Sequence, residues 1–123
     1  MQERGKKALG KLGEEMACDF LQSRGQHILE RNWHSGHLEI DIISEAPDGL
    51  HFVEVKACTA PLVIDPVEKV NHRKQNRISA AALSYLNTKG GDREVFFDVV
   101  SVVFNGARAD LQYYPQAWIP LDV

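Results

Sequence analysis

Two alternating apolar and polar runs between Leu38 and Lys56 constrain the fold of this chain more than any other feature. The first run reads Leu-Glu-Ile-Asp-Ile-Ile-Ser-Glu and the second Leu-His-Phe-Val-Glu-Val-Lys, with Ala-Pro-Asp-Gly between them. Alternation with period two is typical of strands, and a short segment with Pro and Gly is typical of a turn. The sequence therefore predicts a β-hairpin in which Leu38, Ile40 and Ile42 share one face of the first strand.

The length of the turn determines which polar residues meet across this hairpin. A four-residue loop over 46–49 pairs Glu45 with Leu50, and directly opposed residues project from the same side of a sheet. A register slipped by one residue would set each acid against a core side chain, which burial disfavours. The favoured register gathers two polar pairs on one face: Asp41 with Glu54, and Glu39 with Lys56.

This polar patch has two interpretations. It is either a solvated face of a two-sided sheet, with Lys56 paired to Glu39, or a binding site for a divalent cation. Opposed acids destabilise a sheet, and burial adds a desolvation cost. Oxygen ligands on neighbouring strands are what Mg²⁺ accepts, with water and substrate phosphate completing its shell. If the patch binds a cation, Glu39 supports the site by fixing the position of Lys56.

An acid in one strand followed by Glu-x-Lys in the next resembles the PD-(D/E)xK nuclease superfamily, with Asp41 as the first acid and Glu54-Val55-Lys56 as the second half. Motifs along nearly the whole chain are similar to those of its bacterial YraN-like family, which is similar to archaeal Holliday-junction resolvases: Gly13-Glu14-x-x-Ala17, Arg31-Asn32, Glu39-Ile40-Asp41, Phe52-Val53-Glu54-Val55-Lys56, Lys74 and Phe97-Asp98-Val99-Val100. The resemblance implies a restriction-endonuclease-like α/β core, with a mixed β-sheet flanked by α-helices in one domain over 1–123.

The resemblance also implies hydrolysis of DNA phosphodiester bonds with Mg²⁺, or with Mn²⁺, while RNA stays open as a substrate. Asp41 and Glu54 would bind the metal directly, with the carbonyl of Val55 as a further ligand. Glu14 would contribute from the first helix. Lys56 would orient the attacking water and stabilise charge that develops on the phosphate.

Apolar positions at Leu9, Leu12, Met16 and Phe20 predict an amphipathic helix over 8–22. Glu14 and Glu15 flank this stripe on opposite sides, and periodicity leaves open which of them leans toward the hairpin. The family resemblance selects Glu14.

A second helix is predicted over Pro66–Leu86, after an irregular segment over 57–65. Lys74 falls in the middle of its buried stripe. A buried lysine either extends to the helix edge or meets an acid, and in the second case Lys74 would hold a phosphate or the leaving group. Further strands are predicted over 27–33, 95–104 and 109–114, which gives the order α-β-β-β-α-β-β.

The net charge of −3 is not that of a typical nucleic-acid-binding protein, although bound metal would neutralise part of the acid excess. Positive residues cluster near the N-terminus and near the start of the second helix. Each cluster is either a solvated helix face or a set of contacts to a nucleic-acid backbone. The predicted nucleic-acid contacts are Lys7, Lys11, Arg31, Arg73, Lys74 and Arg77.

Composition restricts location and assembly. No apolar stretch approaches the ~20 residues of a membrane span and no signal peptide is recognisable, so the expectation is a cytoplasmic protein with no membrane partner. Cys18 and Cys58 lack the spacing of a zinc site. A junction resolvase would need two sites and hence a two-fold homodimer. Three classes of function remain: a nuclease that acts on branched or single-stranded DNA, a nucleic-acid-binding module without turnover, and a protein-interaction domain.

Overall fold

The computed structural model describes residues 3–89 and 91–120, with side chains from residue 5 onwards. Long helices and strands follow one another in the predicted order, and one short 3₁₀ helix is added before the second long helix. The elements in chain order are α1 (Glu3–Ser23), β1 (His27–Ser35), β2 (Leu38–Ala46), β3 (Gly49–Thr59), the 3₁₀ helix (Pro66–Lys69), α2 (His72–Lys89), β4 (Val95–Asn105) and β5 (Arg108–Trp118).

The five strands form one mixed sheet in the order β1-β2-β3-β4-β5. Neighbouring strands are antiparallel, except that β3 and β4 are parallel. A parallel pair needs a crossover connection, and α2 supplies it here. The predicted α/β fold, a mixed sheet flanked by α-helices, is confirmed and is consistent with a restriction-endonuclease-like core.

The two helices cover opposite faces of the sheet. Phe52 and Val53 are successive residues of β3, so their side chains point to opposite sides. Phe52 packs in a cluster with Ile78 of α2, and Val53 packs in a cluster with Leu21 of α1. Both faces of β3 and β4 are therefore buried, as is usual for parallel strands. Close approach of α1 requires Gly13, where an added Cβ would lie 3.0 Å from the Ala57 Cβ.

The hairpin between β2 and β3 has the predicted register with a tighter turn. Glu45 pairs with Leu50 as expected, but Ala46 also pairs with Gly49, so the turn is the two residues over 47–48 and not four. Gly49 has φ +145°, and a Cβ there would collide with the main chain of Glu94. Glycine at this position therefore lets the hairpin pass close to the segment that leads into β4.

The predicted helix over Pro66–Leu86 is wrong at its start. The 3₁₀ helix ends at Lys69, and α2 begins only at His72. The Asn71 side chain accepts a hydrogen bond from the Lys74 N–H at 3.0 Å, as an N-cap residue does. Neither long helix in the described ranges is apolar enough over a sufficient length to cross a membrane.

Asp98 is a fully buried acid on β4 that belongs to the packing of the sheet. Its carboxylate accepts hydrogen bonds from the Tyr113 hydroxyl at 2.6 Å and the Gln116 N–H at 2.9 Å. It also lies 2.6 Å from Nδ1 of buried His51, whose Nε2 is 2.8 Å from Asp48. Asp98 therefore has a structural role, since its carboxylate is satisfied by hydrogen bonds within the sheet.

Candidate functional site at the divergence of β2 and β3

The candidate site forms where β2 leaves the ladder that it makes with β3. The paired residues of these strands end at Ile42 and Val53. One residue earlier in β2, the Asp41 side chain accepts a hydrogen bond from the Val55 N–H at 2.8 Å. A carboxylate thus replaces a main-chain acceptor at the point where the ladder between the two strands ends.

The expectation that Ile40 and Ile42 share a face is wrong. Ile40 packs in the cluster with α2, whereas Ile42 packs in the cluster with α1. The alternation breaks at Asp41, where the strand leaves the ladder. Asn32 of β1 has φ +50° and lies between two residues that pair with Ile42 and Ile40. Asn is one of the few non-glycine residues that adopt this left-handed conformation readily.

Glu54 lies close enough to Asp41 to affect the ionisation of Asp41. Burial contributes most to the raised pKa of Asp41, and the neighbouring Glu54 carboxylate raises it further. The Val55 N–H acts in the opposite direction, and the resulting pKa is about 8 against an ordinary value of 3.8. Asp41 therefore keeps its proton at neutral pH when no cation is bound.

Glu54 is 4% exposed and is approached by two lysines. Lys74 Nζ lies 3.4 Å from its Oε2, and Lys56 Nζ lies 3.9 Å from the same oxygen. These ammonium groups come from different elements, α2 and β3. They stabilise a buried carboxylate that would otherwise be strongly disfavoured.

Lys74 is the third residue of α2, close to its N-terminus and not at the middle of a buried stripe. Of the two orientations open to it, the side chain takes the one toward the acids and stays partly exposed. A lysine in the first turn of a helix opposes the helix dipole. The ion pair with Glu54 offsets this cost.

Glu14 of α1 borders the same pair of acids. Burial raises its pKa most, and the charge of Asp41 raises it further, while a hydrogen bond from Asn32 lowers it. Glu15 instead lines a separate shallow pocket with Arg31. The choice between the two glutamates, which periodicity left open, therefore falls on Glu14. The contact with Asn32 was not predicted, although an Asn inside a strand was a visible signal.

The predicted pairing of Glu39 with Lys56 is wrong. Glu39 pairs across the sheet with His34 of β1, and its Oε2 lies 3.8 Å from the His34 Nε2. The cause is the divergence of β2 from β3, because the two strands have no ladder at this level. Glu39 stays near the site, since its charge contributes to the raised pKa of Asp41.

The other predicted nucleic-acid contacts lie on exposed surface of three elements. They are Lys7 and Lys11 on α1, Arg31 on β1, and Arg73 and Arg77 on α2. Arg31 is close enough to Glu14 for its charge to lower the pKa of that carboxyl. Positive side chains thus occur on both helices that cover the sheet.

The carboxyl pair suits a hard divalent cation that keeps part of its shell from elsewhere. Among the described residues, no three side chains of His, Cys, Asp or Glu converge to form a complete metal site. Asp41 and Glu54 would supply two oxygen ligands, and a cation between them would replace the proton on Asp41. Mg²⁺ commonly takes one or two carboxylates and completes its octahedron with water and phosphate oxygens.

Known proteins align with this chain over most of its length. A family model described as "Uncharacterised protein family UPF0102" matches residues 13–102. A UPF0102 protein of Nitratidesulfovibrio vulgaris (strain DP4) is 38% identical over 112 residues, which cover 90% of this chain and 84% of the relative. One from Dictyoglomus turgidum is 41% identical over 115 residues, covering 91% and 98%. The chain therefore belongs to the UPF0102 (YraN-like) family, within the PD-(D/E)xK nuclease-like superfamily.

Proposed function

We propose that this protein hydrolyses phosphodiester bonds in DNA with Mg²⁺, and that Mn²⁺ can replace Mg²⁺. The observation that carries the proposal is the pairing of Asp41 with Glu54, because burial and the Glu54 charge raise the pKa of Asp41 to about 8 and a bound cation would relieve both costs. Two lysines reach the same glutamate. A purely structural ion pair needs only one positive side chain for each acid. The second lysine beside Glu54 therefore favours a catalytic role for this cluster over a purely structural one.

Asp41, Glu54 and the main-chain carbonyl of Val55 would hold the metal in this proposal. When bound, Mg²⁺ polarises the scissile phosphate and lowers the pKa of a water nucleophile. The Val55 N–H already orients the Asp41 carboxylate. Glu14 supplies a further carboxylate from α1, near enough to Asp41 for the Asp41 charge to raise the pKa of Glu14; in the proposal it contacts the metal through water.

The two lysines have different tasks in this mechanism. Lys56 lies on the same strand as Glu54 and is mostly buried, so it orients the attacking water and stabilises charge on the phosphate. Lys74 is more exposed and enters from α2, so it holds a phosphate oxygen or the leaving group. When a substrate phosphate enters the site, both ammonium groups interact partly with the phosphate and less with Glu54.

Exposed positive residues on both helices and on β1 would contact the DNA backbone on either side of the carboxyl pair. They are Lys7, Lys11, Arg31, Arg73 and Arg77. Such contacts position the substrate without selecting a sequence. The proposal also includes a cytoplasmic location, which the free thiols of Cys18 and Cys58 support. If the protein cuts both strands of a substrate, it acts as a homodimer with one site in each subunit.

A cleavage screen tests the proposal. Single-stranded, duplex and four-way DNA, with matching RNA, are incubated with the protein in Mg²⁺, in Mn²⁺ and in EDTA. We expect metal-dependent products from wild type, none from Asp41→Asn, and an unchanged rate from the matched control Asp110→Asn, since Asp110 is an exposed residue of β5. Salt-sensitive binding without product would instead identify a binding module. Indifference to both nucleic acid and metal would leave a protein-interaction domain.

A further inference from the structure

An apolar loop tip is exposed in the segment that follows β3. Leu62 and Ile64 are each nearly half exposed, and Val63 is 99% exposed. We call these three residues the apolar tip. Neither core cluster includes them. Exposing three adjacent apolar side chains to water costs free energy in proportion to their exposed area. The packing of this fold does not account for that cost, since none of the three belongs to a core cluster.

Hydrogen bonds at both ends hold the loop that carries the tip. On one side, the Ala60 N–H donates to the carbonyl of Phe104 at 2.8 Å. On the other side, the Asp65 side chain accepts from the Val67 N–H and caps the 3₁₀ helix. A loop fixed at its two ends presents its tip in a defined place, which lowers the entropy cost of binding through it.

The apolar tip follows the strand that carries the proposed catalytic lysine. Thr59 ends β3 three residues after Lys56, which is about 10 Å along a strand, and the tip begins three residues later. The tip borders a groove of about 480 Å³ between the loop and α1. Successive phosphates of a nucleic acid are spaced several ångströms apart, so a strand held at Lys56 would reach the tip within several nucleotides.

Charge around the tip indicates what it binds. Lys6 of α1 and Lys69 of the 3₁₀ helix both line the groove, and Lys69 Nζ lies 3.5 Å from Cys58 Sγ. No acidic side chain lines this groove among the described residues. An apolar surface between positive charges suits a polyanion with flat apolar faces. Nucleic acid has this composition, with bases between phosphates, and apolar side chains are known to insert at base steps.

We propose that the apolar tip is a nucleobase-binding site that packs against unpaired bases next to the scissile phosphate. The proposal rests on the proposed function, because it places the cleaved strand at Lys56. Duplex bases are already stacked, so the tip can reach them only by unstacking a base step. DNA with an unpaired segment beside the cut should therefore bind better than blunt duplex.

The test compares wild type with a variant that carries Leu62→Ser, Val63→Ser and Ile64→Ser. Affinity is measured by fluorescence anisotropy for a duplex with a single-stranded overhang and for a blunt duplex, with Ca²⁺ in place of Mg²⁺. A 2-aminopurine at the first unpaired position reports unstacking. Leu83→Ser is the matched control, because Leu83 is a similarly exposed apolar residue of α2.

We expect the triple variant to lose about tenfold in affinity for the overhang and to lose the rise in 2-aminopurine emission, with little change for blunt duplex. Leu83→Ser should alter neither. Val63→Trp should bind the overhang several-fold more tightly than wild type, because an indole stacks better on bases. Unchanged overhang binding in the triple variant, or equal losses on both DNAs, would overturn the proposal.

The outcomes separate this proposal from the proposed function. If wild type cuts DNA and the triple variant binds like wild type, the nucleobase site is wrong and the nuclease stands. If wild type shows the tip-dependent selectivity but never yields product, the nuclease is wrong and the nucleobase site stands. If the triple substitution only converts a dimer to a monomer by light scattering and leaves DNA binding intact, the tip is an interface between copies of this chain and the proposal fails.

Discussion

Replacing one acid of the carboxyl pair should stabilise the metal-free protein. At pH 7, Asp41 has a pKa of about 8 in the fold and 3.8 when unfolded. Keeping a proton on it from the unfolded pKa of 3.8 up to pH 7, about three units, costs at most about 4 kcal/mol, at 1.36 kcal/mol for each unit. The partial exposure of Asp41 reduces this cost, and a neutral amide accepts more weakly from the Val55 N–H. We therefore expect Asp41→Asn to raise the free energy of unfolding by about 1 to 3 kcal/mol.

The pH dependence of this gain has a defined sign. A carboxyl whose pKa is raised in the fold destabilises it increasingly as pH rises above its unfolded value. The advantage of Asp41→Asn should therefore be small near pH 4, grow through neutral pH and level off above pH 8. Urea denaturation in EDTA at a series of pH values measures it.

Asp98→Asn is the matched control, because it is the same substitution at a fully buried acid of the same sheet. Asp98 accepts from three donors, so its neutralisation should destabilise the fold by about 1 to 3 kcal/mol. The two substitutions are expected to have opposite signs. The reasoning is refuted if Asp41→Asn destabilises the metal-free protein as much as Asp98→Asn does.

Three further predictions concern residues around the site and the buried network. Burial lowers the pKa of His51, but its two carboxylate partners outweigh burial and raise that pKa. The stabilisation that charged His51 gives the fold is therefore complete below pH 6.5 and lost as pH rises further. The difference in unfolding free energy between wild type and His51→Gln, measured in urea melts, should shrink between pH 6 and 9. Asn32→Gly should leave the stability of the fold unchanged but slow cleavage, because glycine accepts φ +50° yet cannot donate a hydrogen bond to Glu14. Asn32→Ala should slow cleavage as well and should also lower the stability by about 1 kcal/mol in thermal melts. Lys74→Met should weaken DNA binding several-fold and lower the salt slope by about one in anisotropy titrations, unless the lysine serves only Glu54, in which case the slope stays unchanged.

The register of the central hairpin was predictable because local chemistry determines it. Alternation, the Pro/Gly turn and the penalty on burying acids all favoured pairing Glu45 with Leu50. The same local logic failed four residues away. Nothing in the alternating pattern signals that β2 departs from β3 at Asp41, because the departure depends on a side chain that bonds the Val55 N–H. The predicted contact of Glu39 with Lys56 failed for this reason.

Helix and strand ends show the same limit. Asn71 was a readable N-cap signal for α2, but the apolar periodicity from Pro66 concealed it. The extension of β3 to Thr59 could not be predicted, because it depends on parallel pairing with β4 some forty-five residues later in the chain. The family resemblance did supply what periodicity could not, the choice of Glu14 over Glu15.

Calorimetric titration of Mn²⁺ at pH 7, in two buffers with different ionisation enthalpies, tests most directly whether Asp41 and Glu54 form a cation site. A carboxyl with a pKa of about 8 is mostly protonated at this pH, so binding must expel its proton. We expect one ion for each chain, release of nearly one proton, and loss of both in Asp41→Asn. Equal Mn²⁺ affinity in wild type and variant, or binding without proton release, would contradict the account.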